Sequence, residues 1–282
     1  MSQISTVKPY SVAPDIDVLS MYFPIPGFGQ LPVNAFVLKG REPLLVDTGA
    51  PLDGEGADAT EGFMAALRQV IDPADLRWIW LTHADMDHVG SVHQILEEAP
   101  QARVITTFLT VGRMSVFRPL PMDRVYLLNP GQSLDIGGRT VTSVKPPSFD
   151  AADTAGLYDS KSRTFFSSDC FGALLQGPAE TAGDISAADL REGQLLWATL
   201  DAPWLHKVDD KAFAASLNEV RKMEPERILS SHLPPAYRMT EQLVGTLATA
   251  PTATPFVGPD QAALQQMMAQ LTGDAARAAV TA

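Results

Sequence analysis

The chain has 282 residues, 45% of them apolar, which is enough for one large core and requires no second domain. Its formal net charge of −12, with no clustered Lys and Arg, excludes the phosphate neutralisation that nucleic-acid binding needs. The lone Cys170 excludes an intrachain disulfide or a CxxC site, and no stretch has the apolar length of a signal peptide or a membrane span, so a soluble cytoplasmic protein is expected.

In chain order, residues 18–23 read as a strand, followed by a stretch punctuated by Pro24, Pro26, Gly27 and Gly29. Residues 34–38 and 43–46 are short apolar strands joined by a turn at 39–42, a hairpin by length and turn chemistry. The second ends in Asp47-Thr48-Gly49, where an aspartate before glycine is by itself compatible with a simple turn. Phe63, Leu67, Val70 and Ile71 lie at helical spacing over 61–71, and Pro73 ends that helix. The run 77–81 is as apolar and branched as a buried parallel strand, and it delivers Thr82-His83-Ala84-Asp85-Met86-Asp87-His88-Val89-Gly90.

That stretch puts His83, Asp85, Asp87 and His88 within six residues, where a strand stops and side chains can converge. On a solvated loop such a group carries no meaning; beside a buried strand, two imidazoles and two carboxylates persist only if paired or coordinating a metal. The apolar run before it favours a metal-binding loop.

Further on, 90–99 is a short helix with Val92, Ile95 and Leu96 on one side, and 103–107 and 124–128 are strands. Between them 108–117 is helical, with Met114, Val116 and Phe117 serving either the core or a pocket wall. A Gly137-Gly138 turn makes 133–145 a hairpin, and 164–168 is a strand ending at Asp169-Cys170-Phe171-Gly172. Residues 189–200 and 210–223 are helical, with Ser186 and Asp189 at capping-box spacing, and a strand at 227–231 delivers His232. Residues 1–240 are expected to form the metal-binding domain. Residues 241–282 are expected to form a linker and a terminal helix, whose stripe Leu264, Met267, Met268, Leu271 would pack on its own domain or on a dimer mate.

The run His83-Ala84-Asp85-Met86-Asp87-His88 resembles the ligand loop of the metallo-β-lactamase superfamily, His-x-His-x-Asp-His, with Asp85 in place of the middle histidine. It is most similar to the flavodiiron branch, the oxygen-binding diiron domains, which carry His-x-Glu-x-Asp-His. In that branch a ligand histidine is followed three residues later by Asp-Ser or Asp-Thr; here Asp150 stands at the histidine's position, ahead of Asp153-Thr154. Asp169 and His232 match the branch's strand-end ligands, and the resemblance runs over roughly residues 20 to 240.

The resemblance implies an α+β fold, the metallo-β-lactamase-like αββα four-layer sandwich. It implies one metal on His83, Asp85 and Asp150, a second on Asp87, His88 and His232, a bridging Asp169, and Asp47 bracing the loop from behind. Four carboxylates around two cations make an oxygen-rich donor set, which prefers Fe, with Mn or Zn possible. The expected function is a diiron protein that binds or reduces O2 or NO. Its electrons would come from an external redox partner, because no flavodoxin-like segment is visible in these residues. The alternative is a metal-dependent hydrolase that cleaves an ester, lactone, thioester or phosphodiester with a metal-bound hydroxide. A small-molecule ligand, no nucleic acid, no membrane and a possible homodimer complete the expectation; catalytic residues beyond the ligands stay unassigned.

Overall fold

The computed structural model describes residues 4–50 and 58–269. The first half of the chain supplies strands β1 (Ser5–Thr6), β2 (Tyr10–Ala13), β3 (Ile16–Ile25), β4 (Gly29–Leu38), β5 (Leu44–Val46), β6 (Trp78–Trp80), β7 (Arg103–Thr106) and β8 (Val125–Leu127). Its helices are α1 (Asp58–Val70), α2 (Met86–Val89), α3 (Val92–Glu98) and α4 (Phe108–Phe117). The second half supplies β9 (Ser133–Asp135), β10 (Thr140–Val144), β11 (Gly156–Asp159), β12 (Thr164–Phe166), β13 (Arg227–Leu229) and β14 (Ala236–Tyr237), with helices α5 (Ala187–Asp201), α6 (Asp210–Met223) and α7 (Thr240–Leu247).

Each half makes one sheet. The first runs β1-β3-β4-β5-β6-β7-β8 with β2 also on β3, and the second runs β14-β13-β12-β11-β10-β9. Consecutive strand residues point to opposite faces, so each sheet feeds two cores. Leu44, Val46, Trp80 and Ile105 meet Leu157, Phe166 and Leu229 between the sheets. Leu45, Ile79 and Val104 face outward onto Phe63, Leu67, Val92, Ile95 and Met114 of the first-half helices. Phe165 and Ile228 face the other way onto Leu190, Phe213, Leu217 and Leu243. Helices outside two packed sheets give the four αββα layers.

The long hairpin differs from its sequence reading. β3 runs through Pro24 and β4 begins at Gly29, with Tyr22 opposite Pro32 and Pro24 opposite Gln30, so the two prolines sit inside paired strands and do not break them. Just after residue 240, Leu243, Val244 and Leu247 of α7 are buried in the second sheet's outer core. Residues 261–269 are helical, with Met267 close to Gly27; Leu271 lies outside the described residues. Among the described residues no helix is long and apolar enough to cross a membrane.

β5 to β8 run parallel, as do β12 and β13. Their carboxyl ends gather at one end of the sandwich, where side chains leaving several strands can meet.

Candidate metal centre

Four strand ends and one loop build the site. β5 ends at Asp47, β6 at the loop of His83, Asp85, Asp87 and His88, β12 at Asp169 and β13 at His232, while Asp150 comes from the loop between β10 and β11. The structure brings all seven expected ligands together, in the groups His83-Asp85-Asp150, Asp87-His88-His232 and His83-His88-Asp169.

Asp169 stands between the first two groups. Its Oδ2 lies 3.4 Å from His83 Nε2, and its Oδ1 lies 3.2 Å from His88 Nε2 and 3.3 Å from His232 Nε2. Asp87 Oδ2 is 3.4 Å from His88 Nε2 and 3.5 Å from His232 Nε2. Asp150 Oδ1 is farther from His83 Nε2, at 3.9 Å, and accepts a hydrogen bond from the Thr154 hydroxyl at 2.8 Å. Two residues close to Asp169 in the chain, Ser168 and Phe171, sit at positive φ (55° and 68°), so the strand end that carries the carboxylate is locally strained.

The far nitrogens fix which way each ring faces. His232 Nδ1 donates to the Pro32 carbonyl at 2.7 Å and His88 Nδ1 donates to Asp47 Oδ2 at 2.8 Å. Both acceptors only accept, so the proton stays on Nδ1 and Nε2 is turned to the centre. Asp47 also accepts from the Thr82 backbone N–H and the Thr82 hydroxyl, each at 2.9 Å, and that hydroxyl lies 3.1 Å from His83 Nδ1. Asp47 is 1% exposed and adopts φ 58°, the left-handed region that aspartate tolerates better than most residues. It therefore holds the loop from behind through three donors, and a fourth, Ser231 Oγ just after β13, reaches it at 3.4 Å.

Electrostatics mark the centre as a place for positive charge. Burial disfavours ionisation of Asp169, but His83, His88 and His232 outweigh it and hold its carboxyl well below the usual range. Asp87 is lowered against burial in the same way by His88 and His232. Burial also disfavours charged imidazoles, yet Asp87, Asp169 and Asp47 push His88 well above its ordinary value, and Asp169 with Asp87 brings His232 to about 9. His83 Nε2, His88 Nε2 and Asp169 Oδ1 are buried and make no hydrogen bond, which is costly unless a cation takes their lone pairs. Imidazole nitrogens and carboxylate oxygens aimed at one point fit first-row transition metals.

Several residues that shape the centre carry no motif in the sequence. Trp197 donates from Nε1 to the Asp169 carbonyl at 3.0 Å and packs at a tilt against the His232 ring, centroids 4.7 Å apart. Asn34 donates to the carbonyls of Ser230 (3.0 Å) and Leu233 (2.8 Å) and so holds the His232 turn across the two sheets; an asparagine in an apolar strand was its signal. Burial, with Asp169 and Asp150 nearby, raises Asp201 to about 8. Trp204 donates to the Phe149 carbonyl at 2.7 Å, beside Asp150, while His206 turns to Pro251. On α4, Met114 is core, whereas Val116 and Phe117 are exposed.

Comparison with known proteins matches this fold. The chain is 26% identical over 140 residues to the anaerobic nitric oxide reductase flavorubredoxin of Klebsiella pneumoniae, covering 49% of this chain and 28% of that one. It superposes on the rubredoxin oxygen:oxidoreductase of Desulfovibrio gigas with a TM-score of 0.74 at 16% identity, covering 88% of this chain and 62% of that one. The flavodiiron protein of Giardia intestinalis gives 0.73 at 14%, covering 88% and 61%. At such identities the structural likeness is one of fold, and the aligned parts span between about a quarter and a half of the first curated relatives. A family model described as ODP family beta lactamase matches residues 33–232, more than two thirds of the chain. The chain belongs to the ODP family beta lactamases, with the metallo-β-lactamase-like sandwich as its fold.

Proposed function

We propose that the chain holds two metal ions, iron by preference, and uses them to bind or reduce O2 or NO with electrons from an external donor. One trio, Asp87, His88 and His232, would hold one ion and the other, His83, Asp85 and Asp150, the second, with Asp169 shared. The observation that carries this reading is the pair of facing trios around Asp169, in which His83 Nε2, His88 Nε2 and Asp169 Oδ1 are buried and make no hydrogen bond. Likeness to flavorubredoxin and to rubredoxin oxygen:oxidoreductase supports the choice of substrate.

When bound, two irons would supply redox equivalents and open positions for a small diatomic ligand. Four carboxylates offset two divalent charges, which lowers Lewis acidity and suits a higher oxidation state. The chain's own work is orientation. Asp47, Thr82 and Pro32 keep the Nδ1 protons away from the centre, and Asp169 can serve both halves at once. His83, His88 and His232, each at most 1% exposed, exclude water from the inner side of the centre. An external redox partner and a homodimer belong to the same proposal.

The test is to load metal-free protein anaerobically with ferrous iron, count the iron, then add O2 or NO with a reductant. About two irons per chain, a new visible absorption band and consumption of the gas are expected. Iron that does not bind in pairs, or binds and ignores both gases, would overturn the reading in favour of a metal-hydroxide hydrolase on the same fold.

A further inference from the structure

One cation in the neighbourhood belongs to neither trio. Arg113, on α4, donates from Nη2 to Asp85 Oδ1 at 2.8 Å and from Nη1 to Asp153 Oδ1 at 2.6 Å. Asp153 is fully buried, and its other oxygen accepts from the Ala84 backbone N–H at 3.0 Å. The guanidinium thus spans two carboxylates, and the Asp153 it is anchored to holds the backbone between His83 and Asp85. Asp85 needs such help. Its side chain is 42% exposed, it makes no cap hydrogen bond at the start of α2, and it is the most exposed of the seven candidate ligands. An exposed carboxylate on a short turn samples several rotamers, and each costs a bound metal part of its affinity.

Resting on the metal reading above, we propose that Arg113 is a positioning residue for Asp85, and that it governs only the half of the centre built on His83, Asp85 and Asp150. The planar fork fits this task in a way an ammonium does not, because two N–H groups in fixed geometry serve two carboxylates at once. With Asp153 as its counter-charge the pair is close to neutral, so its effect on the metal is one of orientation. The other half, Asp87, His88 and His232, is braced by Asp47 and Pro32, whereas the carboxylates that Arg113 engages are Asp85 and Asp153.

The test uses Mn2+, which binds oxygen-rich sites and does not react with O2 in the assay, followed by equilibrium dialysis and electron paramagnetic resonance on the full chain. Wild type should take up about two ions. Arg113→Gln should lose about 10 to 100-fold in affinity for one ion and leave the other unchanged. Arg113→Lys should fall between, since it keeps the charge and loses the fork. Asp85→Asn should weaken the same ion, and Arg113→Gln added to it should cost clearly less than it does alone, because both remove the Arg113–Asp85 contact. A variant that merely loosened the fold would weaken both ions together, and that result, additive losses in the double variant, or unchanged binding in Arg113→Gln would overturn the inference. A wild-type chain that binds no Mn2+ and no ferrous iron would overturn the metal reading itself.

Discussion

Asp47→Asn isolates the role of one buried carboxylate almost without changing shape. Asparagine tolerates the φ of 58° found there, and its Oδ1 can still accept from the Thr82 N–H. What it cannot do is accept a proton from His88 Nδ1, because an amide NH2 would stand where Oδ2 now sits 2.8 Å away. His88 must then carry its proton on Nε2, the nitrogen aimed at Asp169 and Asp87. Losing a bond of this kind to a charged acceptor should cost about 1.5–3 kcal/mol of folding stability. Disturbing a ligand's outer partner should cost about 10 to 100-fold in metal affinity, or about 1.4–2.7 kcal/mol. Long-range 1H–15N spectra report the tautomer of each imidazole, and dialysis against Mn2+ reports affinity in the same sample. The reasoning fails if Asp47→Asn binds metal as tightly as wild type, or if His88 keeps its proton on Nδ1.

The remaining expectations concern the buried groups around the site. Burial pushes the Cys170 thiol up to about 12, so thiol reagents at pH 8 should leave it untouched in the native chain and label it fully in denaturant; rapid native labelling would contradict the packing. In metal-free protein His232 is raised from about 6.5 to about 9, so its contribution is complete below pH 6.5 and is lost as pH rises through 9. The stability gap between wild type and His232→Asn in urea should therefore narrow over that window, by at most on the order of 3 kcal/mol. A gap that stays constant to pH 10 would rule out the Asp169 and Asp87 contribution. Adding Mn2+ at about a hundred times its dissociation constant should stabilise the fold by about 2.7 kcal/mol and raise Tm by roughly 5–10 °C, reversed by chelator; no shift would mean that metal and fold are not linked.

The apolar strands were legible because a buried parallel strand must be apolar on both faces, as Trp78-Ile79-Trp80-Leu81 is. The loop after it was legible because four ligand-type residues in six have little else to do. What the sequence hid was long-range. Pro24 looks like a breaker, but on the β3–β4 ribbon it is tolerated, and the Pro32 carbonyl on the same ribbon is the acceptor that orients His232, 200 residues away. Arg113 reads as one polar residue on a helix among exposed Leu109, Val116 and Phe117, and only the fold brings it to Asp85 and Asp153. α7 was hard to read because QLVGTLATA is short and runs into a Pro- and Thr-rich stretch; its burial comes from α5 and α6, which no local pattern announces.

The origin of the ligands also explains why the centre sits where it does. His83, Asp85, Asp87 and His88 follow a strand of the first sheet, while Asp150, Asp169 and His232 belong to the second. Each trio therefore draws on both halves of the sandwich, and Asp169 faces both trios. The protein already links the sheets there, through Asn34 to Ser230 and Leu233 and through Pro32 to His232, and those links position a centre in which His83 Nε2 and His88 Nε2 make no hydrogen bond. A core optimised for stability alone would satisfy those atoms or replace them with apolar side chains, since isolated buried polar groups cost more than they return. That they persist in one cluster at the strand ends, braced from behind and unsatisfied in front, is the physical argument that the fold is organised to hold cations at this point.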